Sequence, residues 1–221
     1  MLSDVIQREI SDYYWNLSHG VVENISSLGN GFLYYFLTYN AKARVCVCVG
    51  SGGGFVPALM RQAQIDHMIE NSKTILIDGN VTAPHLKREF SHVHDDFEEV
   101  PRWLNNPDYT FNRRYIALIE TIIKKSDDAV SDITDPIDYL HLDGDHSYNQ
   151  VKRDFHNYTP LVRDGGFVTM HDINLGIPDS QAGVRRFLDE LKTQQPRKYD
   201  IFYFEATEWG DDQGTALIKI K

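Results

Sequence analysis

Tyr139-Leu140-His141-Leu142-Asp143-Gly144-Asp145-His146-Ser147-Tyr148 runs from apolar residues into acids and an imidazole, then into a helical pattern. The preceding Asp135-Pro136 is a turn signal, and Ile137-Asp138-Tyr139-Leu140-His141-Leu142 is rich in strand formers, so the run predicts a buried strand. Gly144 would permit a tight exit. Ser147-Tyr148-Asn149-Gln150-Val151 then opens a helix with Phe155, Tyr158 and Leu161 as its spaced apolar positions. In open parallel α/β sheets, ligands sit outside the carboxyl ends of the strands, which makes the polar cluster a candidate site. Further on, Gly165-Gly166-Phe167-Val168-Thr169-Met170-His171-Asp172 repeats the arrangement of glycine turn, apolar strand and polar pair. If the two strands are neighbours, Asp143, Asp145, His146, His171 and Asp172 share one cleft.

The frame for that cleft is a chain of 221 residues, enough for one medium α/β domain with a sizeable core. A hydrophobic fraction of 42% and a charged fraction of 24% are ordinary for a globular protein. The net charge of −10 and the lack of a basic stripe argue against a nucleic-acid partner. Arg113-Arg114, Lys124-Lys125 and Arg185-Arg186 are isolated doublets that read as solvated helix faces. Cys46 and Cys48 are the only cysteines and lie one residue apart in a strand-like run, which suits buried thiols rather than a zinc pair or a disulfide. No signal-peptide pattern and no apolar run of membrane-spanning length is evident, so a cytoplasmic location with no membrane partner is expected.

Along the chain, residues 4–17 predict a helix bearing Val5, Ile6, Ile10, Tyr13 and Tyr14, and a second helix is expected over Phe32 to Tyr39, with Tyr34-Tyr35 as packing residues. Val45-Cys46-Val47-Cys48-Val49 has the continuous apolar character of a parallel strand buried on both faces. Gly50-Ser51-Gly52-Gly53-Gly54 follows and permits a sharp turn and a close backbone approach to a ligand, and a helix then begins around Ala58. Strand, glycine loop and helix make the shape of a nucleotide-binding loop, with helix-start amides facing polar ligand atoms. Phe55 stands where a dinucleotide fingerprint would want its third glycine, and the missing Gly-Lys-Ser/Thr excludes a P-loop. Thr74-Ile75-Leu76-Ile77-Asp78 reads as the next strand; Asp78 at its end stands where a ribose hydroxyl pair is commonly bound, although Asp78-Gly79-Asn80 also reads as a simple turn.

Residues 81–112 are the least readable. His85, His92, His94, Asp95 and Asp96 lack the strand-end or helical context of a metal site and read as loop residues. Tyr115 to Lys125, with Tyr115, Ile116, Leu118, Ile119, Ile122 and Ile123, predicts an amphipathic helix. Gly183 to Leu191 predicts another. Tyr199–Glu205 and Gly214–Ile220 predict two strands joined by a short polar loop, which suits an antiparallel pair. His141 is expected to be a core residue and His156 to be exposed.

Taken together, the Asp-Gly-Asp-His-Ser-Tyr run at 143–148, the glycine loop at 50–54 and Asp78 resemble the class I S-adenosylmethionine-dependent methyltransferases. The branch is the one that includes sugar and antibiotic O-methyltransferases and cephalosporin-hydroxylase-like proteins. The resemblance runs from about Ala43 to the C-terminus. It implies a single methyltransferase-like domain over residues 1–221, with a helical segment (1–42) before a Rossmann-like α/β core (43–221). That core would be a seven-stranded, mostly parallel sheet with an antiparallel last strand and helices on both faces.

By the same resemblance, Gly50, Ser51, Gly52 and Gly54 would lie under the methionine part of S-adenosylmethionine, Asp78 on its ribose and Asp143 near the sulfonium. In metal-dependent relatives the positions of Asp143, His171 and Asp172 hold magnesium. An imidazole at 171 shifts that expectation toward manganese, iron or no metal. Cys48 replaces an acid that usually supports the cofactor's amino group through the loop.

The implied activity is methyl transfer to an oxygen of a small molecule or sugar, assisted by a divalent metal (magnesium or manganese) or by His146 as the base. A hydrogen-bonding role that fixes the loop is equally open for His146. Two rival classes also fit parts of the chain. Asp143-Gly144-Asp145 matches the Asp-x-Asp of nucleotide-sugar glycosyltransferases, in which the glycine loop has no necessary role. Cys48 and His171 suit a catalytically degenerate S-adenosylmethionine-binding protein. An NAD-linked oxidoreductase fits less well, for its glycine spacing and the terminal strand pair. The expected partner is a small-molecule acceptor; assembly into a homo-oligomer stays open.

Overall fold

Val45–Val49 forms the central strand β1, and all five residues are buried. Its side chains alternate between two hydrophobic cores. Val45, Val47 and Val49 pack with Leu140, Val168, Phe155 and Phe187 on one side, whereas Cys46 and Cys48 pack with Tyr34, Phe55, Leu59 and Tyr139 on the other. A strand covered on both faces needs apolar residues at every position, which is why this run alternates valine with a small buried thiol. Both cysteines are free and buried, as expected.

The computed structural model describes residues 28–50, 54–79, 115, 117–174, 183–204 and 213–220. The helix expected over residues 4–17 and the stretch 81–112 lie outside them. In chain order the elements are α1 (Gly31–Ala41), β1, α2 (Phe55–Asp66), β2 (Lys73–Ile77), β3 (Glu120–Ile122), α3 (Ser126–Ala129), β4 (Ile137–Leu142), α4 (Tyr148–Tyr158), β5 (Val162–His171), α5 (Gly183–Gln194), β6 (Tyr199–Phe204) and β7 (Thr215–Ile220).

They build one seven-stranded sheet in the order β3-β2-β1-β4-β5-β7-β6. The first five strands are mutually parallel, and β7 runs antiparallel to both β5 and β6. Helices α1 and α2 cover one face and α4 and α5 the other. This is the Rossmann-like sheet with an antiparallel last strand that the sequence predicts. Strand order reverses between β1 and β4, so a crevice opens between their carboxyl ends, where α/β sheets bind ligands.

One expectation fails. Residues 115–125 do not make a single amphipathic helix; Glu120–Ile122 form β3, paired in parallel with β2 through Ile75, Leu76 and Ile77. The apolar spacing from Tyr115 to Ile123 serves two neighbouring structures. Tyr115 and Ile119 are buried in the core under α2, and Ile122 packs on the opposite core.

Two polar anchors set the register. The Asp138 carboxylate accepts the backbone N–H groups of Arg44 and Val45 at 2.9 and 2.7 Å and pairs with Arg163, tying the start of β4 to β1 and β5. The buried Gln64 amide donates to the carbonyls of Ala43, Arg44 and Lys73, so α2 closes the start of the β1–β2 pair.

Candidate active site at the strand ends

The carboxyl ends of β1, β2, β4 and β5 converge on the crevice. At the end of β1, Gly50 has φ +82, and a Cβ there would overlap the Asp143 carbonyl. Glycine is required on both counts, since the left-handed region and the crowding each exclude a side chain. The Gly50 N–H donates to Ile77 O and the Asp143 N–H to Val49 O, both at 2.8 Å, so the sheet bonding runs up to the crevice before it opens. Gly54, at φ 90, begins α2. Ser51 and Gly52 lie outside the described residues. Asp78 stands half-buried just past β2, its N–H bonded to Ile122 O.

By contrast, Gly144 has neither a positive φ nor a close neighbour, for a Cβ there would find its nearest atom at 3.7 Å. The chain still bends at Gly144 as it leaves β4, but the position where only glycine fits is Gly50 at the end of β1.

At the ends of β4 and β5 the structure assembles most of the expected cluster. His146 Nε2 lies 2.8 Å from Asp172 Oδ2 and 3.5 Å from Asp143 Oδ1. His171 Nδ1 lies 3.0 Å from Asp172 Oδ1 and 3.5 Å from Asp143 Oδ1. Asp172 holds φ 58, a left-handed conformation that is uncommon outside glycine and is found where surrounding structure enforces it. Asp145 is not in the cluster; its carboxylate caps the turn by accepting the Ser147 N–H at 2.7 Å.

Two residues that the sequence reading left outside the site belong to it. His141 is fully buried, as expected, but its Nδ1 bonds Thr169 Oγ1 at 2.8 Å while Nε2 faces Asp143 Oδ2 at 3.7 Å. Thr169 also bonds the Tyr139 hydroxyl at 2.9 Å. Strand alternation was the available signal, since residues 139 and 141 fall on one face of β4 and Asp143 follows in the same alternation just past its end. Gly183 is the other. Its N–H donates to His146 O at 3.1 Å, and a Cβ there would overlap the Ser147 and Tyr148 backbone, so α5 seats directly on the turn that carries His146.

The charges interlock. Burial disfavours an ionised Asp143, yet the facing His171 charge and contacts with the three imidazoles hold its pKa well below the usual carboxylate range. Asp172 is likewise held low, burial being outweighed by His146 and His171. Burial would lower the His146 and His171 pKa values, but Asp143 and Asp172 raise each to about 10. His141 goes the other way, because burial outweighs Asp143 and keeps it neutral. Under the loop, the fully buried Cys48 donates its S–H to Gly50 O at 2.9 Å. Burial, with Asp143 and Asp78 nearby, pushes the thiol well above its ordinary pKa, so this position is a neutral loop brace rather than a counter-ion.

Such a sheet, with a glycine turn beside the switch-point crevice, is the class I methyltransferase architecture. The chain belongs to the family described as methyltransferase domain, whose model matches residues 35–173, more than half of its length. Among solved structures it resembles the O-methyltransferase TomG of Streptomyces achromogenes, involved in tomaymycin synthesis and solved in complex with SAM. That match has a TM-score of 0.62 and 17% identity and covers 97% of this chain and 90% of that one. It also resembles an O-methyltransferase from Bacillus cereus in complex with SAH, with a TM-score of 0.61 and 14% identity, covering 98% and 97% of the two chains. At these identities the likeness is one of fold. In sequence, the chain is 33% identical over 86 residues to the uncharacterized protein y4gI of Sinorhizobium fredii, a match covering 38% of this chain and 9% of that protein.

Two groups implied by the family can be tested against the residues present. For S-adenosylmethionine, the left-handed turn at Gly50 and the half-buried Asp78 on the neighbouring strand end fit a ligand laid over the ends of β1 and β2. For a divalent cation, Asp143, His146 and Asp172 each offer one donor atom, all within 4.8 Å of one another.

Proposed function

We propose that the protein is an S-adenosylmethionine-dependent O-methyltransferase acting on a hydroxyl of a small molecule or sugar. One observation carries the reading: the Gly50 turn, Asp78 and the Asp143 cluster open on the same switch-point crevice. Family membership supports methyl transfer, and the O-methyltransferase neighbours of like fold favour oxygen as the acceptor atom.

The bound cofactor would supply a methyl group already activated on a sulfonium, and a divalent cation would supply polarisation of the acceptor hydroxyl. What remains for the chain is alignment and proton control. Asp78, at the end of β2, would accept hydrogen bonds from the cofactor's ribose hydroxyl pair. Gly50, packed against the Asp143 carbonyl, would hold the ends of β1 and β4 together beneath the cofactor. Asp143 presents a carboxylate that stays ionised, and the ring of imidazoles fixes where it points. His146 is the exposed imidazole of the set and so the one that meets an acceptor. Ion-paired to Asp172 it carries a proton at neutral pH, so it can take the acceptor's proton only when another cation occupies the carboxylates.

Calorimetric titration with S-adenosylhomocysteine, with and without manganese, tests the reading. Binding in the micromolar range is expected, with Asp78→Ala weakening it by about 10- to 100-fold, the worth of a hydrogen bond to a charged group. Folded protein that binds no S-adenosylhomocysteine under any condition, but binds a nucleotide sugar with manganese, would overturn it in favour of glycosyl transfer at Asp143-Gly144-Asp145. A second reading, cofactor binding without turnover, is favoured by the neutral Cys48 under the loop. It predicts intact binding with no methyl transfer to any hydroxyl acceptor.

A further inference from the structure

We propose that a buried hydrogen-bond relay, running from Tyr139 through Thr169 to His141, makes His141 a positioning residue for Asp143. The relay fixes the His141 ring with its proton on Nε2, and that N–H turns the Asp143 carboxylate so that Oδ1 is the oxygen offered toward the crevice. The relay needs no cofactor; its catalytic purpose rests on the methyltransferase reading, which it deepens.

The parts come from two neighbouring strands. Tyr139 and His141 share one face of β4, and Thr169 pairs with His141 across the β4–β5 ladder. All three side chains are fully buried. Thr169 Oγ1 lies 2.9 Å from the Tyr139 hydroxyl and 2.8 Å from His141 Nδ1. His141 Nε2 faces Asp143 Oδ2 at 3.7 Å, a charge–dipole contact longer than a hydrogen bond.

Counting protons sets the direction. Among the described residues, the Tyr139 hydroxyl has Thr169 as its hydrogen-bond partner and no other. A buried hydroxyl proton left unpaired is costly, so Tyr139 donates to Thr169. Thr169 has one proton of its own and donates it to His141 Nδ1. A neutral imidazole that accepts at Nδ1 carries its proton on Nε2, where it meets the Asp143 anion. The opposite direction strands the Tyr139 proton and aims a ring lone pair at the carboxylate. Donation to Thr169 from both sides strands the threonine proton and aims the same lone pair. Full burial disfavours a ring charged by a proton on each nitrogen.

The consequence falls on Asp143. Its Oδ2 faces the His141 N–H, while Oδ1 lies 3.5 Å from both His146 Nε2 and His171 Nδ1. Of these imidazoles His146 is the crevice side, with 29% of its side chain exposed. His141 is itself held still, gripped at Nδ1 by Thr169 and packed edge-on by Tyr34 with ring centroids 5.0 Å apart. The carboxylate is thus set from its buried side by a ring that cannot follow it.

The test uses the full chain, isotope-labelled and assigned, in NMR spectra of the histidine ring nitrogens at neutral pH. His141 is expected with its proton on Nε2 and a hydrogen-bonded, unprotonated Nδ1. Thr169→Val should release Nδ1 from its hydrogen bond. Thr169→Ser should keep it, and so should Tyr139→Phe, because Thr169 still has its own proton to give. Calorimetry with S-adenosylmethionine and S-adenosylhomocysteine separates positioning from packing, since only S-adenosylmethionine carries a sulfonium charge for Asp143 to meet. Thr169→Val should weaken S-adenosylmethionine by about 2- to 10-fold, the worth of one hydrogen bond, and leave S-adenosylhomocysteine unchanged, with Thr169→Ser restoring the difference. A proton on Nδ1, or on both nitrogens, would overturn the relay. Equal effects on the two ligands, no effect included, would overturn the positioning role and leave His141 a packing residue. Should Thr169→Val not fold, the His141 tautomer in the unsubstituted protein decides alone. The expected tautomer without S-adenosylhomocysteine binding would sink the methyltransferase reading and leave the relay standing; the converse would do the reverse.

Discussion

His146 and Asp172 make the shortest ion pair of the cluster at 2.8 Å, and both sit where burial would otherwise neutralise them. Their pairing ties stability to pH in a definite direction. His146 and His171 have folded pKa values of about 10 against an ordinary 6.5. The stabilisation they contribute is fully present below pH 6.5 and lost as pH rises through 10. Asp143 and Asp172 are depressed below 3.8, so their contribution is present above that value and lost as pH falls through their lowered pKa values. His141, kept neutral by burial, costs stability once the unfolded chain takes up its proton below 6.5. Chelator-treated protein should therefore be most stable near pH 6.5 and lose stability steadily toward pH 10. Denaturant midpoints across that range check it: His146→Gln should flatten the alkaline fall, and an unchanged slope would show that the pair carries no linkage. The residues behind this behaviour were largely legible. Asp143, His146, His171 and Asp172 stand out in the sequence because polar residues end two apolar runs. His141 and Thr169 did not, because polar residues inside a buried run read as satisfied core until the neighbouring strand is known.

Elements meet at this site through two close approaches, and each gives glycine a different weight. At the β1–β4 crossing, Gly50 combines φ +82 with a Cβ position already filled by the Asp143 carbonyl. Gly50→Ala should cost about 2–4 kcal/mol, combining left-handed strain with overpacking against backbone. Gly144→Ala, three bonds of chain beyond Asp143's carbonyl and free of crowding, should stay within about 1 kcal/mol of the parent. Urea unfolding of the two variants checks the contrast, and equal losses would mean that the strand ends are more pliant than their geometry. From sequence the two glycines are indistinguishable, since each follows an apolar run; only the facing strand separates them. The same lack of a partner explains the error at β3. Residues 115–123 offer apolar side chains at both helical and alternating spacing, and a three-residue edge strand has too short a period to outvote a longer helical pattern.

At the scale of the whole molecule, the strand-order reversal places the crevice between two helical layers that have no side-chain core in common, only the sheet between them. The sequence foretold that sheet, because buried parallel strands and a terminal antiparallel pair leave strong local patterns. It gave no hint of how the layers are fastened across distance. One fastening joins α1 to β7. The Tyr34 hydroxyl meets Thr215 Oγ1 at 2.8 Å, 181 residues away, and Asn30 Nδ2 donates to the same oxygen at 3.3 Å. Thr215 pairs with His171 across the β5–β7 ladder, and Tyr34 packs edge-on against His141 with ring centroids 5.0 Å apart. The α1 layer thereby rests on the same two histidines that flank the carboxylates. Thr215→Val keeps the shape and removes the shared hydroxyl, which should cost about 1–3 kcal/mol. Because the layers share every central strand, the loss should appear as a single transition moved to lower temperature. Near-ultraviolet circular dichroism, to which the buried Tyr34, Tyr35, Tyr115 and Tyr139 of this face contribute, should then melt together with the far-ultraviolet signal. If the aromatic signal melts first, α1 is an independently docked layer, and the site's floor of His141 and His171 does not depend on it.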